Sequence, residues 1–258
     1  MTWLLLDVGN TSTTFAITKA VIGKPGAPIA EFLQRGHVRS HPLSSLGQRI
    51  QKQLTSPITQ VVVGSVVRGA SDALKKAFAP IPVHRILSQE IRGFENTTLA
   101  PEQVGVDRLI NVKAALKETK PPFLILDTGT ATTLCAVDEK SHYRGGAILP
   151  GLSMVRDALH EKTSLLPSIE LRAPEHAIGR NTEEALLSGI VLATAKAVQG
   201  LVLQFRSELN LSASAPLPLF GTGGKIDLIA PFIPEITHVD RDLTLKGAFL
   251  IATELTSL

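Results

Sequence analysis

The sequence predicts an α/β fold built as two similar halves with a ligand cleft between them. Three observations carry that prediction. Short β-branched apolar runs alternate with segments of helical apolar spacing. An apolar run ending in Asp-x-Gly, with a threonine close behind, occurs twice. Trp3-Leu4-Leu5-Leu6 leads into Asp7-Val8-Gly9-Asn10-Thr11, and 120 residues later Phe123-Leu124-Ile125-Leu126 leads into Asp127-Thr128-Gly129-Thr130. Between the copies, Pro121-Pro122 interrupts the chain near the middle of its 258 residues, dividing it into domains over 1–120 and 121–258.

Each element has its own signal. Residues 2 to 17 read as a hairpin with a polar tip at Asp7–Thr11. Ile22 to Pro28 is punctuated by Gly and Pro and reads as a loop. Leu46, Ile50 and Leu54 give Ser44 to Leu54 helical spacing, and Gln60 to Val67 is a β-branched run suited to a buried strand. Ser71 to Phe78 reads as helix, Pro82 to Leu87 as strand, and Arg108 to Lys117 as helix. After the second hairpin come a glycine-rich loop (Gly145-Gly146, Pro150-Gly151), a helix over Ser153 to His160, and a long helix from Thr182 to Leu209. Asn181 is its expected N-cap, with Glu184 completing a capping pattern. A strand from Leu217 to Phe220 runs into Gly221-Thr222-Gly223-Gly224 and a helix starting near Lys225.

Composition narrows the function classes. Hydrophobic residues make up 44% and charged residues 19%, enough for a buried core and too apolar for disorder. The net charge of +3 is spread without a basic stripe, and aromatics are 4%, which argues against nucleic acid as a partner. The most apolar long window, Gly189 to Phe205, carries Lys196 and has helical character, so no membrane span is expected. A single cysteine, Cys135, forms no internal disulfide, and no basic segment precedes the first apolar run. A cytoplasmic, unprocessed protein is the expectation.

The repeated turn carries the chemistry. An Asp closing a buried strand offers a carboxylate for a cation, the Gly lets backbone N–H groups approach an anion, and the Thr adds a hydroxyl. Asp and Gly also populate hairpin turns for conformational reasons alone. Two copies, together with Gly221-Thr222-Gly223-Gly224 between a strand and a helix, point to a nucleotide held in the manner of actin-like and sugar-kinase-like phosphotransferases. Neither a P-loop nor a dinucleotide-binding glycine motif is present.

Seven segments in order resemble the type III pantothenate kinase family. They are Asp7–Thr11; Gly105-Val106-Asp107-Arg108 with Asn111; Asp127–Thr133; Gly145–Leu152; Thr163–Pro167; Ile178–Thr182; and Gly221–Gly224. The resemblance implies two ribonuclease-H-like domains, a homodimer, and ATP-dependent phosphorylation of pantothenate with magnesium and a monovalent cation, potassium or ammonium. It further implies an ATP site of Asp7, Val8, Gly9, Asn10, Thr11, Ser12, Thr13, Thr14, Thr130, Gly221 and Gly223. Asp127 would bind the monovalent cation and Asp7 the magnesium. Gly105, Val106, Asp107, Arg108, Thr182 and Thr98 would hold pantothenate, with Asp107 as proton acceptor. Placed just before a helix, Asp107 is expected to stay ionised through the helix dipole. Arg108 offers a planar fork for a carboxylate or phosphate, or a structural ion pair. Two positions depart from the family pattern: Thr98 stands where a Tyr is common, and Thr13-Thr14 where a Lys is common.

The scattered histidines carry no metal-like spacing on one helix, and Cys135 lies in an apolar strand pattern, so it reads as a core residue. The apolar positions of the long helix cover more than one stripe, which suits a dimer interface or an intrachain core. Two further readings stand beside the pantothenate kinase: a nucleotide-binding regulator that keeps the fold without turnover, resembling an accessory factor for toxin-gene expression, and a sugar phosphotransferase. The short chain and the Gly105–Arg108 motif weigh against the last.

Overall fold

The computed structural model describes residues 1–19 and 29–256. The loop expected from Ile22 to Pro28 lies outside the described residues. In chain order the elements are β1 (Thr2–Val8), β2 (Ser12–Lys19), β3 (Phe32–Arg39), α1 (Leu46–Gln51), β4 (Gln60–Ser65), α2 (Ala70–Phe78), β5 (Val83–Arg85), β6 (Glu95–Asn96) and α3 (Val106–Glu118). They continue with β7 (Phe123–Thr128), β8 (Ala131–Val137), β9 (His142–Pro150), α4 (Leu152–Lys162), α5 (Thr182–Leu187), a π-helical turn (Ser188–Leu192) and α6 (Ala193–Glu208). β10 (Leu219–Thr222), α7 (Ile226–Ile229), β11 (Ile236–Val239) and α8 (Leu243–Thr256) complete the chain.

Two compact units form. The first holds Met1–Glu95, Leu99–Glu118 and the segment from Asp242 onward; the second holds Asn96–Thr98 and Thr119–Arg241. The chain passes into the second unit at Thr119, and the C-terminal segment from Asp242 belongs to the first rather than to the second. Burial explains the return: Leu243, Leu245, Ala248, Phe249, Ile251 and Ala252 of α8 are all buried. Phe249 packs its ring 5.9 Å from that of Trp3 in β1, and the Thr244 hydroxyl donates to Asn111 Oδ1 in α3 at 2.8 Å. A helix this apolar has to cover a sheet face, and the face it covers is the first unit's.

In the first unit the strand order is β3-β2-β1-β4-β5, with β1, β2 and β3 antiparallel neighbours and β4 and β5 added parallel. The second repeats the pattern as β9-β8-β7-β10-β11, with β6 beside β9. The sequence duplication is therefore a duplication of topology. β1 and β7 are bonded on both edges and covered on both faces, which is why they read as unbroken apolar runs.

Several elements differ from their sequence signals. Gly145-Gly146, expected in a loop, lie within β9, paired with Ala136 and Cys135 of β8, because a strand can use glycine where the ladder bends, here at the register shift beside Ala136. β3 escapes notice because its residues alternate in exposure and include His37 and two arginines. The expected helix from Ser44 shortens to a 3₁₀ turn followed by α1, ending at Gln51. β11 and α8 had no assigned element in the sequence reading. The long helix forms as expected: Asn181 Oδ1 accepts the Glu184 N–H at 2.9 Å, and the helix runs continuously over Thr182–Glu208. Its length and hydropathy would suffice to cross a membrane. Leu186, Leu187, Ile190, Val191, Ala195, Val198 and Val202 instead pack into the second unit's core.

Gly247 of α8 meets the Ile110 carbonyl of α3 so closely that a Cβ would overlap it, whereas Gly200 of α6 faces open space. Gly247→Ala is expected to cost about 1–3 kcal/mol, since backbone has to move. Gly200→Ala should add about 0.5–1 kcal/mol through helix propensity. Urea denaturation followed by circular dichroism reads both, and a neutral Gly247→Ala would show that α3 and α8 can separate freely.

Candidate active site

In the first unit the β1–β2 hairpin brings Asp7 to the end of a buried strand. Asp7 pairs with Thr14 of β2 on one edge and Gly64 of β4 on the other. Its neighbours Asn10, Thr11 and Ser12 are exposed at the tip, while Thr13 is fully buried. The turn closes with the Gly9 N–H donating to the Ser12 carbonyl at 3.1 Å.

α3 approaches the same strand ends. The Val66 N–H donates to the Val8 carbonyl at 3.4 Å, and a Cβ on Gly105 would lie 3.6 Å from Val66 Cγ1. That chain of contacts places the Gly105–Arg108 turn beside the end of β1. α3 begins at Val106, two residues earlier than expected, so Asp107 sits inside the first turn. The Asp107 Oδ1 accepts the Arg108 N–H at 2.8 Å, and the Gly105 carbonyl accepts that N–H at 3.1 Å. A Cβ on Gly105 would lie 2.5 Å from Asp107 Oδ1, so any larger residue there would displace the carboxylate from its present position.

At Asp107 burial acts against the helix dipole. Burial among protein atoms pushes its carboxyl above the ordinary aspartate value, and the Arg108 N–H and guanidinium only partly oppose that. The group is a stronger base than a free aspartate.

In the second unit Asp127 ends β7, paired with Thr133 of β8 and Thr222 of β10. The Thr128 hydroxyl donates to the Thr222 carbonyl at 3.0 Å, and the Lys225 N–H donates to the Thr128 carbonyl at 3.2 Å, tying the Gly221–Gly224 loop to the end of β7. Gly223 adopts φ +92°, and a Cβ there would lie 2.5 Å from both Asp127 Oδ1 and the Thr128 nitrogen. Thr130 is exposed at the hairpin tip. Gly221 is buried, the space for its Cβ taken by Ile226 and Ile236, so its identity follows from packing α7 on β10.

Of the residues singled out from sequence, Asp7 to Thr14 and Gly105 to Arg108 share the first unit, and Thr130, Asp127, Gly221 and Gly223 share the second. Thr98 and Thr182 also belong to the second unit. The Thr98 hydroxyl and N–H both donate to Asn96 Oδ1, at 2.7 and 3.2 Å, and Thr182 is exposed directly after the Asn181 cap. Two residues escaped the sequence reading. The Ser65 hydroxyl accepts the Val67 N–H at 3.1 Å and donates to the Val8 carbonyl at 3.4 Å, and Ser40 contacts the first hairpin tip. Nothing local marks their contact with the first hairpin, because Val8 and Gly9 lie 57 and 31 residues away from them.

The chain is similar to known proteins in sequence and in fold. The profile describing type III pantothenate kinases matches residues 3–204. The chain belongs to the type III pantothenate kinase family. A type III pantothenate kinase of Thermomicrobium roseum is 44% identical over 147 residues, an alignment spanning 57% of this chain and 55% of that relative. The enzyme of the same name from Thermus thermophilus is 34% identical over 265 residues, covering 97% of this chain and 98% of its own length. Among solved structures, a conserved putative Baf family transcriptional activator from Campylobacter jejuni aligns over 99% of this chain and 100% of its own with a TM-score of 0.62 at 19% identity. An archaeal actin homologue aligns over the full length of both chains with a TM-score of 0.52 at 14% identity. These structures establish the actin-like, ribonuclease-H-like α/β fold.

For this family member, Gly223→Ala forces a side chain onto the Asp127 carboxylate at a left-handed backbone position. A stability loss of about 1–3 kcal/mol and at least a tenfold loss in kcat/KM for ATP are expected, read by thermal melting and steady-state kinetics. A variant with parental kinetics would show that Asp127 needs no fixed position.

Proposed function

We propose that the chain transfers the γ-phosphoryl group of ATP to the primary hydroxyl of pantothenate, the first step of coenzyme A synthesis, with Asp107 accepting the hydroxyl proton. The observation that carries the reaction is the family match over residues 3–204. The hydroxyl oxygen bonds to the γ-phosphorus, the bond from that phosphorus to the bridging oxygen breaks, and ADP departs with the electron pair. Because the transition state is loose, the proton leaves late and a positioned carboxylate suffices. The support for Asp107 is its fixed orientation on the Arg108 N–H and the raised proton affinity that burial confers.

Asp7 to Thr14 bind the ATP phosphates on this reading, and Thr130, Gly221 and Gly223 are ATP contacts by the family resemblance. Gly105, Val106, Arg108, Thr98 and Thr182 hold pantothenate, and the Arg108 guanidinium suits its carboxylate. Asp7 and Asp127 supply hard oxygen donors, the ligand type that magnesium and potassium prefer. Among the described residues, no three acidic, histidine or cysteine side chains cluster as a metal site. A lone carboxylate at each strand end fits ions completed by phosphate and water oxygens. Magnesium carried with ATP neutralises phosphate charge; Asp7 would hold it, and Asp127 would hold potassium or ammonium. A cytoplasmic homodimer that uses neither nucleic acid nor membrane completes the reading. The 64% exposure of Leu203 on α6 supports a partner against the long helix. The likeness to a putative transcriptional activator speaks for the fold alone, and turnover separates an enzyme from a regulator.

A coupled assay with ATP, magnesium and pantothenate tests the reaction, and binding of ATP without turnover would favour the regulator. Asp107→Asn keeps an oxygen for the Arg108 N–H and is expected to lower kcat by about 10²–10⁴-fold. The sign for stability is opposite. A carboxyl whose folded pKa is raised contributes stability below the unfolded pKa, and that contribution is lost as pH rises through the folded pKa. At pH 7 the Asn variant should therefore melt no lower than the parent. For the same reason the acid limb of the parent's kcat profile should lie above the ordinary aspartate pKa of about 3.9. Asp127→Asn should abolish stimulation by potassium; persistence of that stimulation would move the cation elsewhere.

A further inference from the structure

Ser40, the residue after β3, is fully buried and lies 31 positions from Gly9, yet it is bonded to the β1–β2 hairpin by three hydrogen bonds. Its hydroxyl donates to the Gly9 carbonyl at 2.5 Å, its N–H donates to the Thr11 carbonyl at 3.0 Å, and its Oγ lies 2.9 Å from the buried Thr13 hydroxyl. Since the hydroxyl has one proton and gives it to Gly9, it accepts from Thr13. We propose that Ser40 is a positioning residue for the donor nucleotide, holding the hairpin tip in the shape that receives the ATP phosphates. This rests on the reading that the Asp7–Thr14 hairpin binds them.

The physical argument concerns peptide orientation. A trans peptide sets its N–H opposite its C=O. Tying the Gly9 carbonyl to Ser40 therefore turns the Asn10 N–H away from Ser40, on an exposed tip where an anion needs N–H groups and is repelled by carbonyls. Arg49 of α1 braces Ser40 in turn: its Nη2 donates to the carbonyls of Arg39 at 2.7 Å, Ser40 at 3.2 Å and Pro42 at 3.2 Å. The tip is thus built on a buried serine, and that serine on a helix.

The second unit uses the equivalent position. Ser12, the first residue of β2, pairs with Arg39, and Ala131, the first residue of β8, pairs with Pro150, so Ser40 and Gly151 follow their third strands in the same register. A Cβ on Gly151 would overlap the carbonyl oxygen of Thr130 and come within 2.9 Å of that of Gly129, so the backbone at 151 presses directly on the second tip. Three residues join β1 to β2 and two join β7 to β8. The tighter turn is braced by contact, the longer one by the hydrogen bonds of Ser40.

The test is Mg-ATP binding to the full chain by calorimetry, with KM measured for ATP and for pantothenate. Ser40→Ala should weaken ATP binding and raise its KM about tenfold, while KM for pantothenate changes less than twofold, a split that a merely structural role would not produce. Ser40→Cys, nearly isosteric and a weaker donor, should fall between and carries the test if the alanine variant does not fold. A folded Ser40 variant with ATP affinity within twofold of the parent overturns the inference. Gly9→Val distinguishes the two levels, since it puts a branched side chain in the tip itself. Normal ATP binding by Gly9→Val overturns the phosphate-hairpin reading and this inference together. Lost binding by Gly9→Val beside unaffected Ser40 variants overturns Ser40's role alone.

Discussion

One strand in each unit is bonded on both edges, antiparallel to its successor and parallel to a strand that arrives later, and the rest of each unit depends on that pairing. β1 lies between β2 and β4, and β7 between β8 and β10. At the carboxyl end of such a strand the hairpin tip turns one way and the parallel neighbour's loop the other, leaving backbone groups that no ladder occupies. Ligand sites in open α/β sheets form at such ends. Asp7 and Asp127 both stand there, and the register that places them is set by the buried apolar residues before them, since a slip of one residue would turn Leu4, Leu6 and Val8 to the opposite face, away from Phe15, Ile50 and Leu74.

Close backbone approach then shapes both strand ends. Gly105 leaves room for the Asp107 carboxylate, and Gly223 leaves room for that of Asp127. In each case an acidic oxygen occupies the space that a side chain would fill. Burial at Asp107 works against stability at neutral pH and in favour of proton affinity. A residue selected for folding alone would be uncharged there.

Much of the fold was legible in the sequence because its signals are local. The hairpin at 7–11, its repeat at 127–130, the capped long helix and the loop at 221–224 all depend on neighbours within a few residues, and each forms close to where it was expected. β3 was missed because an edge strand with charged alternate positions lacks an apolar period. The glycine pair in β9 was misread because glycine marks a bend in a strand as readily as a loop. At the candidate site, Asp7 and Asp127 stand out in the repeated turn and Asp107 through the family resemblance, whereas Ser40 and Ser65 carry no such mark, since they contact the first hairpin from 31 and 57 residues away.

The sequence by itself determined the duplicated α/β plan, the two strand-end carboxylates and the family, because apolar period, turn chemistry and motif order are properties of the chain. Only the tertiary structure decided that α8 returns to the first unit, that burial raises the proton affinity of Asp107, and that a buried serine is bonded to the first hairpin tip. The physical reason is common to all three. Which apolar face a helix covers, how far a carboxylate is withdrawn from water and which hydroxyl meets which carbonyl are set by segments distant in the chain, and no local pattern records them.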